Sequence, residues 1–287
     1  MDDIKGLSGN AKLAGVIGWP VGHSLSPRLH GYWLRSYGID GAYVPLPVSP
    51  ENLERALRAL PMLGFVGVNI TVPHKQAALA AVDDADDNAR RVGAVNTVIV
   101  EADGRLIGRN TDGFGFIENL RSGAADWRAE AGPAVVLGAG GAARAVCAAL
   151  LDAGVPEVRL LNRTRERADS LAAEIGGAIR IIDWDEPASA MPEAGLLVNT
   201  TTLGMLGKPP LEIDLSPLPE SALVTDIVYA PLQTPLLAQA EARRLSTVGG
   251  LGMLLHQARP GFAAWFGRQP EVTEALADYV RAGLGSG

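Results

Sequence analysis

The run Ala134-Val135-Val136-Leu137, followed directly by Gly138-Ala139-Gly140-Gly141-Ala142-Ala143, constrains the fold more than any other segment. The four apolar residues read as a buried strand, and Arg144 through Leu151 read as a helix. A strand that turns through glycines into a helix is the setting of a dinucleotide-binding site. Gly138 permits the tight turn, Gly140 lets the backbone approach a pyrophosphate, and small Ala143 allows the helix to pack on the strand. The helix start offers free amides and a partial positive charge to phosphate. Glycines also serve ordinary turns, so the flanking strand and helix carry the inference.

The next strand, Val158–Leu161, bears on the choice of dinucleotide. NAD-binding versions usually place a carboxylate at the end of this strand, about 20 residues after the turn, to bind the ribose 2′-hydroxyl. Here the strand ends Leu160-Leu161-Asn162-Arg163-Thr164-Arg165, with Arg167 close behind. A carboxylate would repel a 2′-phosphate, whereas Arg163 and Arg167 suit one through charge-assisted hydrogen bonds. The alternative is a solvated basic helix start. With the glycine turn, NADP is favoured over NAD.

Along the whole chain, short β-rich runs alternate with alanine- and leucine-rich helical stretches, the pattern of βα units around a largely parallel sheet. Strands are expected at Leu13–Gly18, Phe65–Ile70, Asn96–Glu101, Ala134–Leu137, Val158–Leu161, Leu196–Asn199 and Val224–Val228. Ser26-Pro27 and Ser49-Pro50-Glu51 read as helix starts, with serine as cap and proline in the first turn. Pro73 starts another helix, carrying His74, Lys75 and Gln76, and an acidic helical segment precedes Asn96. A helix from Asp112 through Leu120 leads into the polar stretch Arg121–Gly132, and the domain boundary is placed near it. The glycine-rich end, 283–287, is expected to fray.

Composition excludes several function classes. Hydrophobic residues make up 47% of the 287 and charged residues 20%, which supports a packed core. The net charge of −7 argues against nucleic acid or an anionic membrane as the main partner. The single cysteine, Cys147, rules out an internal disulfide framework and reads as a buried helical thiol. Met1-Asp2-Asp3-Ile4-Lys5 lacks the apolar core of a signal peptide, and no apolar run approaches the roughly 20 residues that span a bilayer. A cytoplasmic protein is expected. His23, His30, His74 and His256 show no metal-ligand pattern, and no metal is assigned.

Polar clusters interrupt the first half of the chain at the ends of expected strands, where open α/β sheets bind ligands. Ser24 and Ser26 offer hydroxyls for a carboxylate; simple helix capping is the equal alternative. Lys75, just inside a helix after Thr71-Val72-Pro73-His74, is either a solvated surface group or a proton carrier. The second reading gains if Asp112 lies beside it, which spacing does not show.

The ordered motifs resemble those of shikimate dehydrogenases. They are Val16-Ile17-Gly18…His23-Ser24-Leu25-Ser26-Pro27…His30, Gly67-Val68-Asn69-Ile70-Thr71-Val72-Pro73-His74-Lys75, Gly93-Ala94-Val95-Asn96-Thr97 and Asn110-Thr111-Asp112-Gly113-Phe114-Gly115. The likeness continues through the glycine turn, Asn162-Arg163-Thr164, the block from Asn199 to Met205, Asp226-Ile227-Val228-Tyr229-Ala230-Pro231 and the block from Gly250 to Ala258. It covers nearly the whole chain.

The resemblance implies a catalytic lysine at Lys75 with Asp112 as its partner. It implies shikimate carboxylate contacts at Ser24 and Ser26, with Tyr229 near the same group, and ring-hydroxyl contacts at Thr71, Asn96 and Gln257. Cofactor contacts are implied at Gly138, Ala139, Gly140, Gly141 and Ala142, at Asn162, Arg163, Thr164 and Arg167 around the 2′-phosphate, and at Thr201, Met205, Ile227 and Gly250. Leu25 stands where many relatives have lysine, and His74-Lys75-Gln76 replaces a frequent Phe-Lys-Glu.

The expected architecture is α/β in two domains. A substrate domain, 1–112, is joined by returning C-terminal helices, 250–287; a Rossmann-type NADP domain covers 113–249. The expected activity is NADPH-dependent reduction of 3-dehydroshikimate to shikimate, by a monomer or homodimer without a nucleic-acid or membrane partner. Rival readings are a quinate/shikimate dehydrogenase paralogue and a non-catalytic NADPH-binding protein.

Overall fold

The computed structural model describes residues 6–284. The acidic start Met1–Lys5 and residues 285–287 of the glycine-rich end lie outside the described residues. The chain divides into two compact units, Met1–Thr111 with Ala258–Gly287, and Asp112–Gln257.

Unit 1 runs β1 (Lys12–Gly18), α1 (Ser26–Ser36), β2 (Gly41–Pro47), α2 (Leu53–Ala59), β3 (Phe65–Ile70), α3 (Lys75–Ala81), β4 (Asp84–Ala85), α4 (Asp87–Val92), β5 (Thr97–Val100) and β6 (Leu106–Arg109). Its sheet has the order β2-β1-β3-β5-β6-β4. β1 pairs in parallel with β2 and β3, while β5 pairs antiparallel with β3 and β6. One part of the core sits under α2, α3 and α4 and includes Ile17, Leu57, Val68, Ile70, Ala78, Ala89 and Val98.

Unit 2 runs α5 (Asp112–Gly123), β7 (Ala134–Leu137), α6 (Gly141–Asp152), β8 (Val158–Leu161), α7 (Arg165–Ile175), β9 (Ile179–Ile182), α8 (Pro187–Ala190), β10 (Leu196–Asn199), β11 (Leu223–Asp226), α9 (Pro235–Ala242) and β12 (Ser246–Val248). All strands are parallel, in the order β12-β11-β10-β7-β8-β9. Counted from β7, this is the 3-2-1-4-5-6 order of a dinucleotide-binding sheet. Every residue of β7, β10 and β11 is buried, as expected of strands covered on both faces.

The helix α10 (Leu251–Phe266) begins in unit 2 and ends in unit 1, and α11 (Glu274–Arg281) belongs to unit 1. The sequence division therefore differs from these units at Asp112 and over 250–257, which group with unit 2. The first turns of α10 lie against α5: Asn119 donates to Gly249 O at 2.9 Å, and a Cβ on Gly115 would meet the Gln257 backbone at 2.7 Å.

The end of α10 is held in unit 1 by aromatic packing. Trp33 and Trp265 are almost wholly buried, and the Trp265 indole donates to Val98 O at 3.1 Å. Gly67, at φ +155°, lies beneath that indole; a Cβ there would fall 2.1 Å from Trp265 Nε1 and 2.2 Å from Val98 O. Trp33 donates to Glu271 O at 2.9 Å, and Arg28 to Tyr279 O at 2.5 Å, which ties down the segment through α11. Truncating either buried tryptophan to alanine costs about 3–5 kcal/mol.

Candidate active site

In unit 1, topology brings the polar motifs to one edge of the sheet. β1 and β3 are parallel neighbours, so the segments that follow them, Ser24–Ser26 and Thr71–Lys75, leave from the same side. The Thr71 amide donates to Ile17 O at 2.9 Å and the Trp19 amide to Val72 O at 3.1 Å, joining the two exits. Because β5 runs antiparallel to β3, its first residue Thr97 lies opposite Asn69 at that edge, with Asn96 just before it. β6 then returns antiparallel to β5 and delivers Asn110 and Thr111 there.

Local structure sets each group. Ser26 is the first residue of α1; it does not cap the helix, as the sequence reading had it, because the N-cap is Leu25 and no side chain caps the helix there. Ser24 Oγ accepts the Ser26 amide at 3.3 Å instead. Leu25, which replaces a frequent lysine, is buried. Lys75 is half-buried at the first position of α3, and its carbonyl accepts the Val95 amide at 2.8 Å. Before it, His74 is buried with Nε2 2.7 Å from Val48 O, which pins the chain entering the helix. Asp112 is buried at the start of α5 in unit 2.

Behind this edge runs a buried chain of hydrogen bonds that sequence reasoning did not find. Tyr43 Oη donates to Asn69 Oδ1 at 2.6 Å, and Asn69 Nδ2 donates to Thr97 Oγ1 and to Asn96 O, each at 3.1 Å. Thr97 Oγ1 donates to Asn96 Oδ1 at 3.0 Å, and the Thr111 amide donates to the same oxygen at 2.9 Å. Asn96 Nδ2 faces Thr111 Oγ1 at 3.0 Å. Burial raises the Tyr43 phenol well above its usual pKa, against a smaller opposing hydrogen bond from Ser26, so the hydroxyl keeps its proton.

His30 closes the inner end of the chain. Its ring stacks on Tyr43 at 4.0 Å and 1°, with Trp33, Phe262 and Trp265 around it. Neither ring nitrogen has a hydrogen bond, and burial lowers its pKa to about 3. Asn69 lies near enough to oppose that shift slightly without forming a hydrogen bond of ordinary geometry. His30 is a neutral core group.

In unit 2, the polar residues gather where the strand order reverses, between β7 and β10. Gly138 turns at φ +104°, its amide on Leu161 O at 2.7 Å; a Cβ there would strike Thr200 Oγ1 and Thr201 Cγ2 within 2.9 Å. The Ala139 amide is taken by Asn162 Oδ1 at 3.1 Å, and Asn162 Nδ2 donates to Thr164 O at 2.7 Å. This brings the ends of β7 and β8 together.

The N-cap of α6 is Gly140, without a side-chain cap, and a Cβ on Gly140 or Gly141 would meet nothing within 4 Å. A helix start with no side-chain cap and open space beside its two glycines suits a pyrophosphate, so the turn fits a dinucleotide. Arg163, Thr164 and Arg167 are exposed around the start of α7. Arg165 pairs with Asp183 at 2.5 Å, whereas Arg163 and Arg167 make no side-chain ion pair among the described residues. That leaves two exposed cationic groups at the start of α7, which follows β8.

A second buried cluster, also missed, shapes the loops after β10 and β11. Asn199 Oδ1 accepts from the Thr201 amide and hydroxyl at 3.0 and 2.8 Å, while Nδ2 donates to Asp226 Oδ1 at 3.0 Å. Asp226, its pKa raised by burial, also accepts from the Val228 amide at 3.0 Å and the Thr234 hydroxyl at 2.7 Å. These bonds tie the loop after β10, whose Thr200 and Thr201 lie against Gly138, to the loop after β11. Gly250 abuts the second loop, where a Cβ would lie 2.3 Å from Ile227 O. Tyr229 is half-buried there, and burial raises its pKa. Gln257 Nε2 donates to Leu254 O at 3.1 Å.

Cys147 is buried in α6 and its thiol is pushed up to about 12, an inert core group. Among the described residues, no three His, Cys, Asp or Glu side chains cluster as metal ligands, and no helix is long and apolar enough to cross a membrane.

Residues 16–98 match the family described as the shikimate dehydrogenase substrate binding domain, and residues 125–205 match shikimate / quinate 5-dehydrogenase. The shikimate dehydrogenase (NADP(+)) of Rhodospirillum rubrum is 64% identical, over 94% of this chain and 97% of that protein. The chain belongs to the shikimate dehydrogenase family.

Within the family, the enzyme of the same name from Paramagnetospirillum magneticum is 61% identical, over 96% of this chain and 99% of its own. Among solved structures, shikimate 5-dehydrogenase from Thermus thermophilus, in complex with NADP(H) and shikimate, is 40% identical with a TM-score of 0.85. That match covers 95% of this chain and 99% of the other. Quinate dehydrogenase from Corynebacterium glutamicum, in complex with NAD, is 32% identical with a TM-score of 0.86, covering 96% and 99%.

Proposed function

We propose that this chain catalyses the reversible, NADPH-dependent reduction of 3-dehydroshikimate to shikimate, a step of aromatic amino-acid biosynthesis. The observation that carries the reading is the 64% identity to an NADP-dependent shikimate dehydrogenase along nearly the whole length of both chains. Bound NADPH supplies the hydride for C3.

This chain's residues supply the remainder. Lys75 donates a proton to the C3 oxygen in reduction and takes one from the C3 hydroxyl in oxidation. Asp112 is the carboxylate that the family pairs with this lysine, and it orients a substrate hydroxyl. Ser24 and Ser26 hold the substrate carboxylate with their hydroxyls, with Tyr229 near the same group. Thr71, Asn96 and Gln257 bind ring hydroxyls. The helix start at Gly140–Ala142 and the Asn162–Arg167 segment bind the pyrophosphate and the 2′-phosphate, and Thr201, Met205, Ile227 and Gly250 shape the remainder of the cofactor site. The same reading places the enzyme in the cytoplasm as a monomer or homodimer, with no nucleic-acid or membrane partner.

The test follows reduced-cofactor absorbance with shikimate or quinate against NADP or NAD. Turnover is expected with shikimate and NADP, at a rate well above the other three pairs. Absence of turnover with that pair refutes the reading. Equal rates with quinate would make the enzyme a dual shikimate/quinate dehydrogenase, and binding of NADPH without turnover would make it a non-catalytic binder.

A further inference from the structure

We propose that Tyr43 is a positioning residue for substrate: through Asn69 and Thr97 it steadies the Asn96 carboxamide with Oδ1 turned inward, so that Asn96 meets a substrate hydroxyl as a donor. The inference rests on the reading above that Asn96 contacts a ring hydroxyl.

The polarity of the chain follows from groups that can act in only one way. The Asn96 carbonyl only accepts, so the Asn69 atom 3.1 Å from it is the amide nitrogen, and Asn69 Oδ1 turns to the Tyr43 hydroxyl. The Thr111 amide only donates, so the Asn96 atom 2.9 Å from it is Oδ1. Thr97 Oγ1 receives a proton from Asn69 Nδ2, and its own hydroxyl proton goes to Asn96 Oδ1. With the Thr111 hydroxyl 3.2 Å away, three donors converge on Asn96 Oδ1, and hydrogen bonds from Asn96 to a ligand leave from Nδ2.

Tyr43 starts the sequence because its phenol is 7% exposed and keeps its proton, with the His30 ring stacked on one face. Asn69, Asn96 and Thr97 are each 5% exposed or less, so bulk water does not compete for these bonds. Without the Tyr43 proton, Asn69 Oδ1 loses that donor in a buried setting, and the Asn69 carboxamide is held through its Nδ2 bonds to Asn96 O and Thr97 Oγ1. A less firmly held Asn69 loosens Thr97 in turn, and the bond that weakens is the one from the Thr97 hydroxyl to Asn96 Oδ1.

The decisive measurement is a double-mutant cycle on shikimate affinity in the intact enzyme, using Tyr43→Phe, Asn96→Ala and the pair. Tyr43→Phe keeps the ring on His30 and removes only the hydroxyl. It is expected to raise the shikimate KM and Kd roughly fivefold, about one lost neutral hydrogen bond, while the NADP KM stays within twofold. The double variant should bind no more weakly than Asn96→Ala alone.

A shikimate Kd that rises by the product of the two single effects would mean that Tyr43 acts independently of Asn96, and would overturn the proposal. An unchanged Kd in Tyr43→Phe would overturn it as well. Should Tyr43→Phe fold poorly, Thr97→Val breaks the chain at its midpoint without touching the aromatic stack, and the same non-additivity is required of it. An inactive wild type that binds no shikimate removes the functional reading and the relay together; an active wild type with an additive cycle removes only the relay.

Discussion

His30 offers a quantitative test of how unit 1 is built. In the unfolded chain its imidazole titrates near 6.5, whereas the folded ring, among Trp33, Tyr43, Phe262 and Trp265, has a pKa of about 3. Among these neighbours only Tyr43 is titratable, and its raised pKa keeps it neutral. Because the folded pKa lies below the unfolded one, the unfolded chain takes up a proton first as pH falls, and acid favours unfolding.

The contribution is fully present above pH 6.5 and declines by about 1.4 kcal/mol per pH unit below it, down to the folded value. Between pH 7.5 and 5.5 the loss is about 1.4 kcal/mol, and by pH 4.5 about 2.7 kcal/mol. Other groups titrate in the same range, so the measurement is a difference between wild type and His30→Phe. Urea unfolding, followed by tryptophan fluorescence and extrapolated to water at each pH, gives that difference. The stability advantage of wild type over His30→Phe should shrink by about 1.4 kcal/mol from pH 7.5 to 5.5. A difference that stays flat would refute the claim that the folded ring resists protonation. One that grows at low pH would show a charged His30 with an acceptor in the fold.

Other perturbations test the remaining parts. Lys75→Ala should lower kcat by about 10²–10⁴-fold with the shikimate KM changed only a few-fold; a large rise in KM at preserved kcat would make Lys75 a binding group. Arg163→Ala and Arg167→Ala should each raise the NADP KM roughly tenfold at low salt, with NAD turnover unchanged. Equal losses with both cofactors would remove these arginines from the 2′-phosphate. Gly67→Ala forces a methyl group into the Trp265 indole and should destabilise unit 1 by about 3 kcal/mol or more, read as a lower melting temperature. An unaltered melting temperature would mean that the end of α10 is not packed as described.

Much of unit 2 was legible because its strands are short, buried on both faces and therefore continuously apolar. Ala134–Leu137, Val158–Leu161 and Leu196–Asn199 are expected and observed with the same limits. The strand expected at Val224–Val228 instead ends at Asp226, because Val228 turns its amide onto the Asp226 carboxylate. β2, β4, β6, β9 and β12 escaped notice: each lies at or next to a sheet edge with mixed burial, and β2 also contains Pro45 and Pro47. Ser26 was misread as a cap because a Ser-Pro pair signals a helix start to within a residue, while the cap itself depends on backbone angles.

The sequence by itself determined most of the interior strands, the strand–glycine–helix turn at Gly138–Ala143 and, through its ordered motifs, the family. These are local properties: periodicity, turn chemistry and spacing along a few residues. Only the tertiary structure decided that Tyr43 meets Asn69, that Asn69 meets Thr97, and that Asn199 and Asp226 tie together the loops after β10 and β11. Tyr43 and Asn69 are 26 residues apart in sequence, and Asn69 and Thr97 are 28 apart. Which buried donor meets which acceptor is set by sheet order and register, because a buried polar group must find its partner among whatever the fold places within about 3 Å.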